Sequence, residues 1–300
     1  MKQFMIAALA LAAVTSGPAL AGEACAPLGL DKPALLELRA DGFSFADTDE
    51  ARRFAVELVP CLAEADPDLR DKIGYEGFAA LLRGGQLDRE TMLAVGKPLI
   101  EWLYDPDTNG FRKPFAALVL SEIARVDRLE PFLSDEERAG LVTTATDYLK
   151  SVDDYRGFDQ EEGWRHGVAH GADLLLQLSL NEAVTAQQLE EMRAAVASQV
   201  MPQATHFYIY GEPERLARPI LFTARRGLIS EEDWTAWFEA LADPAPFDGW
   251  GDVFFSEDGL ARRHNLRAFA LAIYANAAAS EDENVRALLP GALAILRATA

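Results

Sequence analysis

The segment from residue 155 to residue 180 contains the residues whose types and spacing could perform chemistry. Two of the four histidines of the chain, His166 and His170, are four residues apart, and Asp173 follows three residues later. On an α-helix, side chains at these spacings lie on one face, so two imidazoles and a carboxylate could converge on one point. We therefore predict a helix over 163–180, with a polar stripe formed by Glu162, His166, His170 and Asp173.

Three interpretations of this stripe are compatible with the sequence. His166, His170 and Asp173 could be three ligands of a divalent metal such as zinc, which would leave a fourth position for water. They could instead perform acid–base catalysis without a metal, with Asp173 orienting a neutral imidazole. The stripe could also be the polar side of an ordinary amphipathic helix. The sequence His-Gly-Val-Ala-His lacks the Glu that follows the first His in the common zinc-protease motif, so that protease class is not indicated.

Small residues within the same segment favour a crevice. Gly167 and Gly171 each cost about 1 kcal/mol relative to Ala inside a helix, which indicates the close approach of another helix or of a ligand. A polar stripe beside such a contact would line a crevice, the usual setting of a site in a helical protein. We expect Trp164 to support the helix from its opposite side.

Two further residues are candidates for ligand contact, in addition to Glu162 and Trp164. His264 and Arg267 belong to a basic cluster, residues 262–267, in a chain whose formal net charge is −20. His264 could bring a third imidazole to the site, and the cluster could bind an anionic group. The alternative is that these residues connect neighbouring helices.

The rest of the chain is patterned as helices that would position this segment. Helix-start motifs recur along the sequence, and their first residues are Asp31, Ser134, Thr185, Ser230 and Ser280. Apolar residues between these motifs repeat with helical spacing. We predict an all-α fold of about a dozen helices, paired as hairpins every roughly 35–45 residues. The expected architecture is an armadillo- or HEAT-like α–α superhelix of stacked helical hairpins, and the alternative is an α/α toroid.

The N-terminal residues predict export. Lys2 precedes an apolar run over residues 5–14, and Ala19-Leu20-Ala21 fits the small-x-small rule for signal-peptide cleavage. We predict a signal peptide over 1–21, a single helical domain over 22–300, and a periplasmic or secreted protein. No later stretch is long and apolar enough to be a transmembrane segment. The strongly acidic composition repels nucleic acid, so we expect a small ligand or a protein as partner.

Cys25 and Cys61 are the only cysteines of the chain. An even number of cysteines in an exported protein favours a disulfide, here between Cys25 and Cys61, over two free buried thiols.

Several motifs spread over most of the chain, from residue 68 to about residue 274, resemble one known family. They are the segments 115–128, 131–134, 155–158, 163–173, 211–217 and 263–269, and the most specific is Trp164-x-His-x3-His-x2-Asp173. Together they resemble a bacterial family catalogued only as domain of unknown function 2785. The resemblance implies an all-helical fold and no established activity. Pro213 departs from the family pattern, in which an acidic residue is expected, and an export signal is not typical of the family.

The sequence thus supports two hypotheses about function. In the first, an exported helical protein binds a small ligand or a metal in a crevice lined by His and Asp, and its reaction, if it is an enzyme, is hydrolysis. His166, His170 and Asp173 would then be the catalytic or metal-binding residues. In the second, the chain is a non-enzymatic α-solenoid scaffold that binds another protein on its concave face.

Overall fold

A computed structural model describes residues 25–300, so the predicted signal peptide lies outside the described residues. The fold is all-α, as predicted. The helices in chain order are α1 (Lys32–Ala40), α2 (Thr48–Glu57), α3 (Glu76–Arg83), α4 (Arg89–Tyr104), α5 (Arg112–Leu129), α6 (Asp135–Ser151), α7 (Gly167–Ser179), α8 (Ala186–Val200), α9 (Glu212–Arg225), α10 (Glu231–Leu241), α11 (Glu257–Ala279), α12 (Glu283–Arg286) and α13 (Leu289–Ala298).

Short elements complete the described part of the chain. Three 3-10 helices cover Pro27–Gly29, Val59–Ala63 and Asp252–Phe255, and a π-helix covers Asp68–Tyr75. Two short strands, β1 (Phe158–Asp159) and β2 (Gly163–Trp164), form an antiparallel hairpin immediately before α7. Within residues 25–300, no helix is both long enough and apolar enough to cross a membrane.

The helices form two rows around an apolar core. In one row, α3, α5, α7, α9 and α11 each contact the next, and in the other row α2, α4, α6 and α8 do the same. Consecutive helices also pack across the rows, as α4 on α5, α6 on α7 and α8 on α9. The helical hairpins of the sequence analysis are therefore present, whereas the superhelical course of the stack stays a prediction. The arrangement places the N-terminal ends of α7 and α9 beside each other.

Helix-start signals were reliable guides to the helix boundaries. Their side chains accept hydrogen bonds from main-chain N–H groups of the first helical turn, a contact worth about 1 kcal/mol; these residues are Asp31, Ser134, Thr185 and Ser230. The prediction for Ser280 is wrong, because α12 is capped by Asp282, whose carboxylate accepts from Asn284 N and Val285 N.

A disulfide joins Cys25 and Cys61, as predicted. It connects the described N-terminus to the 3-10 helix Val59–Ala63, across a sequence separation of 36 residues. In the chain-entropy view, a cross-link that closes a loop of this length stabilises the fold by about 3–4 kcal/mol.

Candidate functional site

The predicted helix over 163–180 begins later than expected. Gly163 and Trp164 form β2, and α7 begins only at Gly167. His166 is the residue before the helix and adopts a left-handed backbone with φ 60° and ψ 41°. This conformation costs a non-glycine residue roughly 1–2 kcal/mol, so the surrounding contacts must hold it in place. The helical stripe that was to join Glu162 and His166 to His170 and Asp173 is therefore wrong in its first two members.

A buried arginine from a distant part of the chain fixes the hairpin that replaces the first helical turn. The Arg70 side chain is fully buried and donates a hydrogen bond from Nη2 to Glu162 O at 2.6 Å. Its guanidinium lies 4.2 Å from the centre of the Phe111 ring. Within the turn, the Asp159 carboxylate accepts hydrogen bonds from Glu161 N and Glu162 N, and Gly163 provides the required positive φ of 74°.

His166 is buried in the angle between the hairpin and α9. Its side chain is 8% exposed, and the Trp164 ring stacks on it at 4.7 Å between centres. The imidazole Nε2 is buried and has no hydrogen-bond partner among the described residues. The nearest carboxylate oxygen, Glu212 Oε1, is 3.8 Å away. A buried polar atom without a partner is uncommon in a folded protein and calls for an explanation.

Glu212 is the first residue of α9 and is almost completely buried, with 2% of its surface exposed. Its Oε2 accepts a hydrogen bond from Tyr210 N at 2.9 Å, and the preceding Gly211 supplies a positive φ of 86° that starts the helix. Burial raises the pKa of the Glu212 carboxyl, and this outweighs the main-chain hydrogen bonds that lower it. Protonation of this side chain is therefore easier than for an ordinary glutamic acid.

His170 lies one turn into α7 and has a defined tautomer. Its Nδ1 is 3.1 Å from Pro114 O, and a carbonyl oxygen only accepts, so Nδ1 carries the proton and Nε2 has a free lone pair. The Phe115 ring packs edge-on against it at 5.4 Å, and the two imidazole centres are 5.8 Å apart.

Both imidazoles are held in the neutral form. Burial, supported by the charge of Arg215, lowers the pKa of His166 to about 4. Burial, with the nearby His166 and Arg215, lowers the pKa of His170 to about 3. Both imidazoles are therefore neutral at neutral pH and are weaker bases than the side chain of a free histidine.

Asp173 lies one turn further along α7 and forms an ion pair with Arg215 of α9. Burial raises the pKa of the Asp173 carboxyl, and the arginine acts in the opposite direction. No group of three or more His, Cys, Asp or Glu side chains that could hold a metal ion is found in residues 25–300. The ligand set His166, His170 and Asp173, expected from helical spacing, therefore stays a prediction.

Glu162, His264 and Arg267, which were also predicted to contact a ligand, form hydrogen bonds or ion pairs with other parts of the protein. Glu162 forms an ion pair with Arg165 at 2.8 Å. His264 is exposed, and its Nε2 donates to Tyr208 O at 3.1 Å. Arg267 donates from Nη1 to Leu296 O and Thr299 O at the end of α13. His264 and Arg267 therefore connect neighbouring segments, which was the alternative reading of the basic cluster. Trp164 stacks on His166 as a cover and does not support α7 from behind, and its contact with a ligand stays a prediction.

Glu212 and Arg215 were missed as site residues. Both follow Gly211 and belong to the segment 211–217, which the sequence analysis had used only as a family motif. Their partners, His166 and Asp173, are more than forty residues earlier in the chain, so the pairing follows from the packing of α7 on α9.

Comparisons with known proteins give a family and no activity. Neither the curated proteins nor the solved structures contain a match to this chain. The model of one family, described as protein of unknown function (DUF2785), matches residues 103–275. This match covers more than half of the chain, including both strands of the hairpin, His166, Asp173, Glu212 and Arg215. The chain therefore belongs to the DUF2785 family, as its motifs suggested.

Proposed function

We propose that this protein is an exported enzyme that binds a small ligand beside His166 and Glu212 and catalyses proton transfer during its hydrolysis. The observation that carries the proposal is the buried Nε2 of His166, which lacks a hydrogen-bond partner in the described region and lies 3.8 Å from the buried Glu212 carboxylate. Acid–base sites commonly combine burial with displaced pKa values in this way.

The distance between the two groups suits a bridging ligand atom. At 3.8 Å, Nε2 of His166 and Oε1 of Glu212 are too far apart for a direct hydrogen bond. One water molecule or one ligand hydroxyl can contact both atoms at about 3 Å. A neutral His166 would remove a proton from that water, while a protonated Glu212 would supply one to a leaving group.

Arg215 gives the site a fixed positive charge. It is held by Asp173 and lowers the pKa of both imidazoles, which keeps them neutral. The same charge would stabilise negative charge that develops on a ligand during hydrolysis. In this proposal, Asp173 acts as a positioning residue, because its ion pair holds the Arg215 side chain in place.

Access to the site would pass the aromatic cover. Trp164 is 37% exposed on one side and stacks on His166 on the other, and Phe158 packs against it at 5.1 Å. Tyr210 packs edge-on against Trp164 at 5.7 Å.

The disulfide supports the exported location that this proposal includes. Disulfides persist in oxidising compartments such as the periplasm and the extracellular space, and they are rare in the cytosol. The Cys25–Cys61 bond is therefore consistent with removal of residues 1–21 during export. The continuous apolar core from Leu35 to Ile295 supports the proposal that the mature chain is one domain.

A hydrolase panel tests the proposal. The purified mature protein would be assayed with 4-nitrophenyl acetate, 4-nitrophenyl phosphate and 4-nitrophenyl β-glucoside. We expect turnover of at least one substrate and a loss of about 100-fold or more in kcat/KM for His166→Gln and for Glu212→Gln. His264→Gln is the matched control, because it removes an exposed imidazole whose hydrogen bond joins it to Tyr208 O and to neither His166 nor Glu212. Absence of turnover on all three substrates, or equal turnover by the two site variants and wild type, would contradict the proposal.

A further inference from the structure

A cavity lies where the C-terminal ends of α6 and α8 meet α10 and the beginning of α11. It has a volume of about 540 Å³ and is called the α6–α8 cavity below. The polar and aromatic side chains that line it include Lys150, Asp153, Tyr155, Gln203, Trp237 and Arg262. The volume lies within the range of sites that hold small molecules.

The cavity has an excess of positive charge in a strongly acidic chain. Lys150 and Arg262 line it together with one carboxylate, that of Asp153. Within the described residues neither cation forms an ion pair, and the hydrogen bond found for Arg262 joins its Nη2 to Ala245 O at 2.6 Å. Since the chain carries 48 acidic residues against 28 basic ones, two cations without acidic partners in one cavity indicate an anionic ligand.

Two of the residues that line the cavity carry N–H groups without hydrogen-bond partners in the described part of the chain. Trp237 Nε1 and Arg262 Nε are buried, and neither has a hydrogen-bond partner in the part of the chain that the structure describes. Buried donors are normally paired, so these two N–H groups favour a ligand with several acceptor oxygens.

Two aromatic rings form rigid parts of the wall. Tyr155 stacks on His206 with 5.1 Å between ring centres and an interplanar angle of 21°. Trp237 packs edge-on against Phe238 at 5.0 Å and against Trp234 at 5.8 Å. Aromatic side chains next to polar groups suit a ligand whose body is a ring with both apolar and hydroxyl-bearing surfaces.

We propose that the α6–α8 cavity binds a small, hydroxyl-rich organic anion with a ring, of the sugar-acid class. Lys150 and Arg262 contact its carboxylate, Asp153 accepts hydrogen bonds from its hydroxyls, and Tyr155 and Trp237 enclose the ring. His166, Glu212 and Arg215 are not among the residues that line this cavity, so ligand binding here is separate from the proposed hydrolysis.

Calorimetric titration with D-glucuronate, D-galacturonate and D-glucose tests the proposal. We expect one or both uronates to bind, and glucose to bind at least about tenfold more weakly because it lacks the carboxylate. We expect Arg262→Gln and Lys150→Gln each to weaken uronate binding by about tenfold, and Arg262→Lys to restore part of that loss. Trp237→Phe, which keeps the ring and removes the N–H, should weaken binding by a smaller factor.

Arg53→Gln is the matched control, since it removes an exposed arginine on α2 and should leave uronate binding unchanged. Lys150 is exposed, so Lys150→Gln keeps the proposal testable if an Arg262 variant fails to fold. Binding of neither uronate at millimolar concentration overturns the proposal. Equal binding of glucose, or unchanged binding in folded Lys150→Gln and Arg262→Gln proteins, also overturns it.

Discussion

Two buried polar regions of this protein differ in one respect, the completeness of their hydrogen bonding. In the first, the Asp127 carboxylate of α5 accepts hydrogen bonds from Arg138, from the main chain at Phe132 and Leu133, and from Asn181. In the second, His166 and Glu212 approach each other to 3.8 Å, and the imidazole Nε2 has no partner in residues 25–300.

The pKa directions of the two carboxyls follow this difference. Burial acts to raise the pKa of Asp127, yet the hydrogen bonds from Arg138 and the main chain outweigh it and lower the pKa. Burial also acts to raise the pKa of Glu212, and here the opposing main-chain hydrogen bonds are too weak to outweigh it, so the pKa is raised. A buried carboxylate that is fully paired supports the fold, whereas one that is incompletely paired stores an unfavourable interaction that a ligand could relieve. Matched substitutions in the two regions test this distinction.

The largest effect is expected for Asp127→Asn. The substitution removes the buried carboxylate partner of Arg138 and leaves only its ion pair with the exposed Asp135. Breaking a buried pair in this way costs about 3–5 kcal/mol. The free energy of unfolding would be measured by urea denaturation at pH 7. A loss below about 1 kcal/mol would mean that this region is not the structural counterpart that we describe.

The next effect concerns the pH dependence of stability. His166 and His170 have folded-state pKa values lowered to about 4 and about 3. As the pH falls, these histidines are therefore protonated in the unfolded state at a higher pH than in the folded state. Stability is therefore fully present above pH 6.5 and is lost as the pH falls below it. Each histidine should contribute a loss of about 2 kcal/mol between pH 7 and pH 5.

Urea denaturation of His166→Gln at several pH values isolates one of these contributions. We expect the variant to lose about 2 kcal/mol less than wild type over this interval, because glutamine does not titrate. His264→Gln, which removes an exposed imidazole, should keep the wild-type pH dependence. Parallel curves for His166→Gln and wild type would show that His166 is not protected from protonation.

The smallest effect is expected for Glu212→Gln, the counterpart of Asp127→Asn. A carboxyl with a raised pKa destabilises the folded state at pH 7, because its ionised form is disfavoured there. The amide variant should therefore be as stable as wild type, or up to about 1 kcal/mol more stable. A loss of 3 kcal/mol in urea denaturation would place Glu212 in the same structural class as Asp127.

The sequence predicted the helical fold because its signals are local. Asp31, Ser134, Thr185 and Ser230 cap helices through contacts within a few residues, so their types and spacing sufficed. The disulfide was predictable because Cys25 and Cys61 have no alternative partners in the chain.

The candidate site was predicted only in part, because long-range contacts build it. The turn before His166 depends on a hydrogen bond from Arg70, which is 92 residues away from Glu162 in sequence. Helical periodicity therefore continued the helix through Gly163, where the structure has a strand. The carboxylate beside His166 comes from Glu212 on another helix, and spacing within one helix pointed to Asp173 instead.

The central claim is that His166 is a neutral, buried imidazole beside Glu212. A two-dimensional ¹H–¹³C NMR titration of the histidine Cε1–H signals tests it most directly, with His166 assigned from the His166→Gln spectrum. We predict a titration midpoint for His166 near its pKa of about 4, because burial and the charge of Arg215 disfavour the imidazolium form. A midpoint near the ordinary value of about 6.5 would contradict the account.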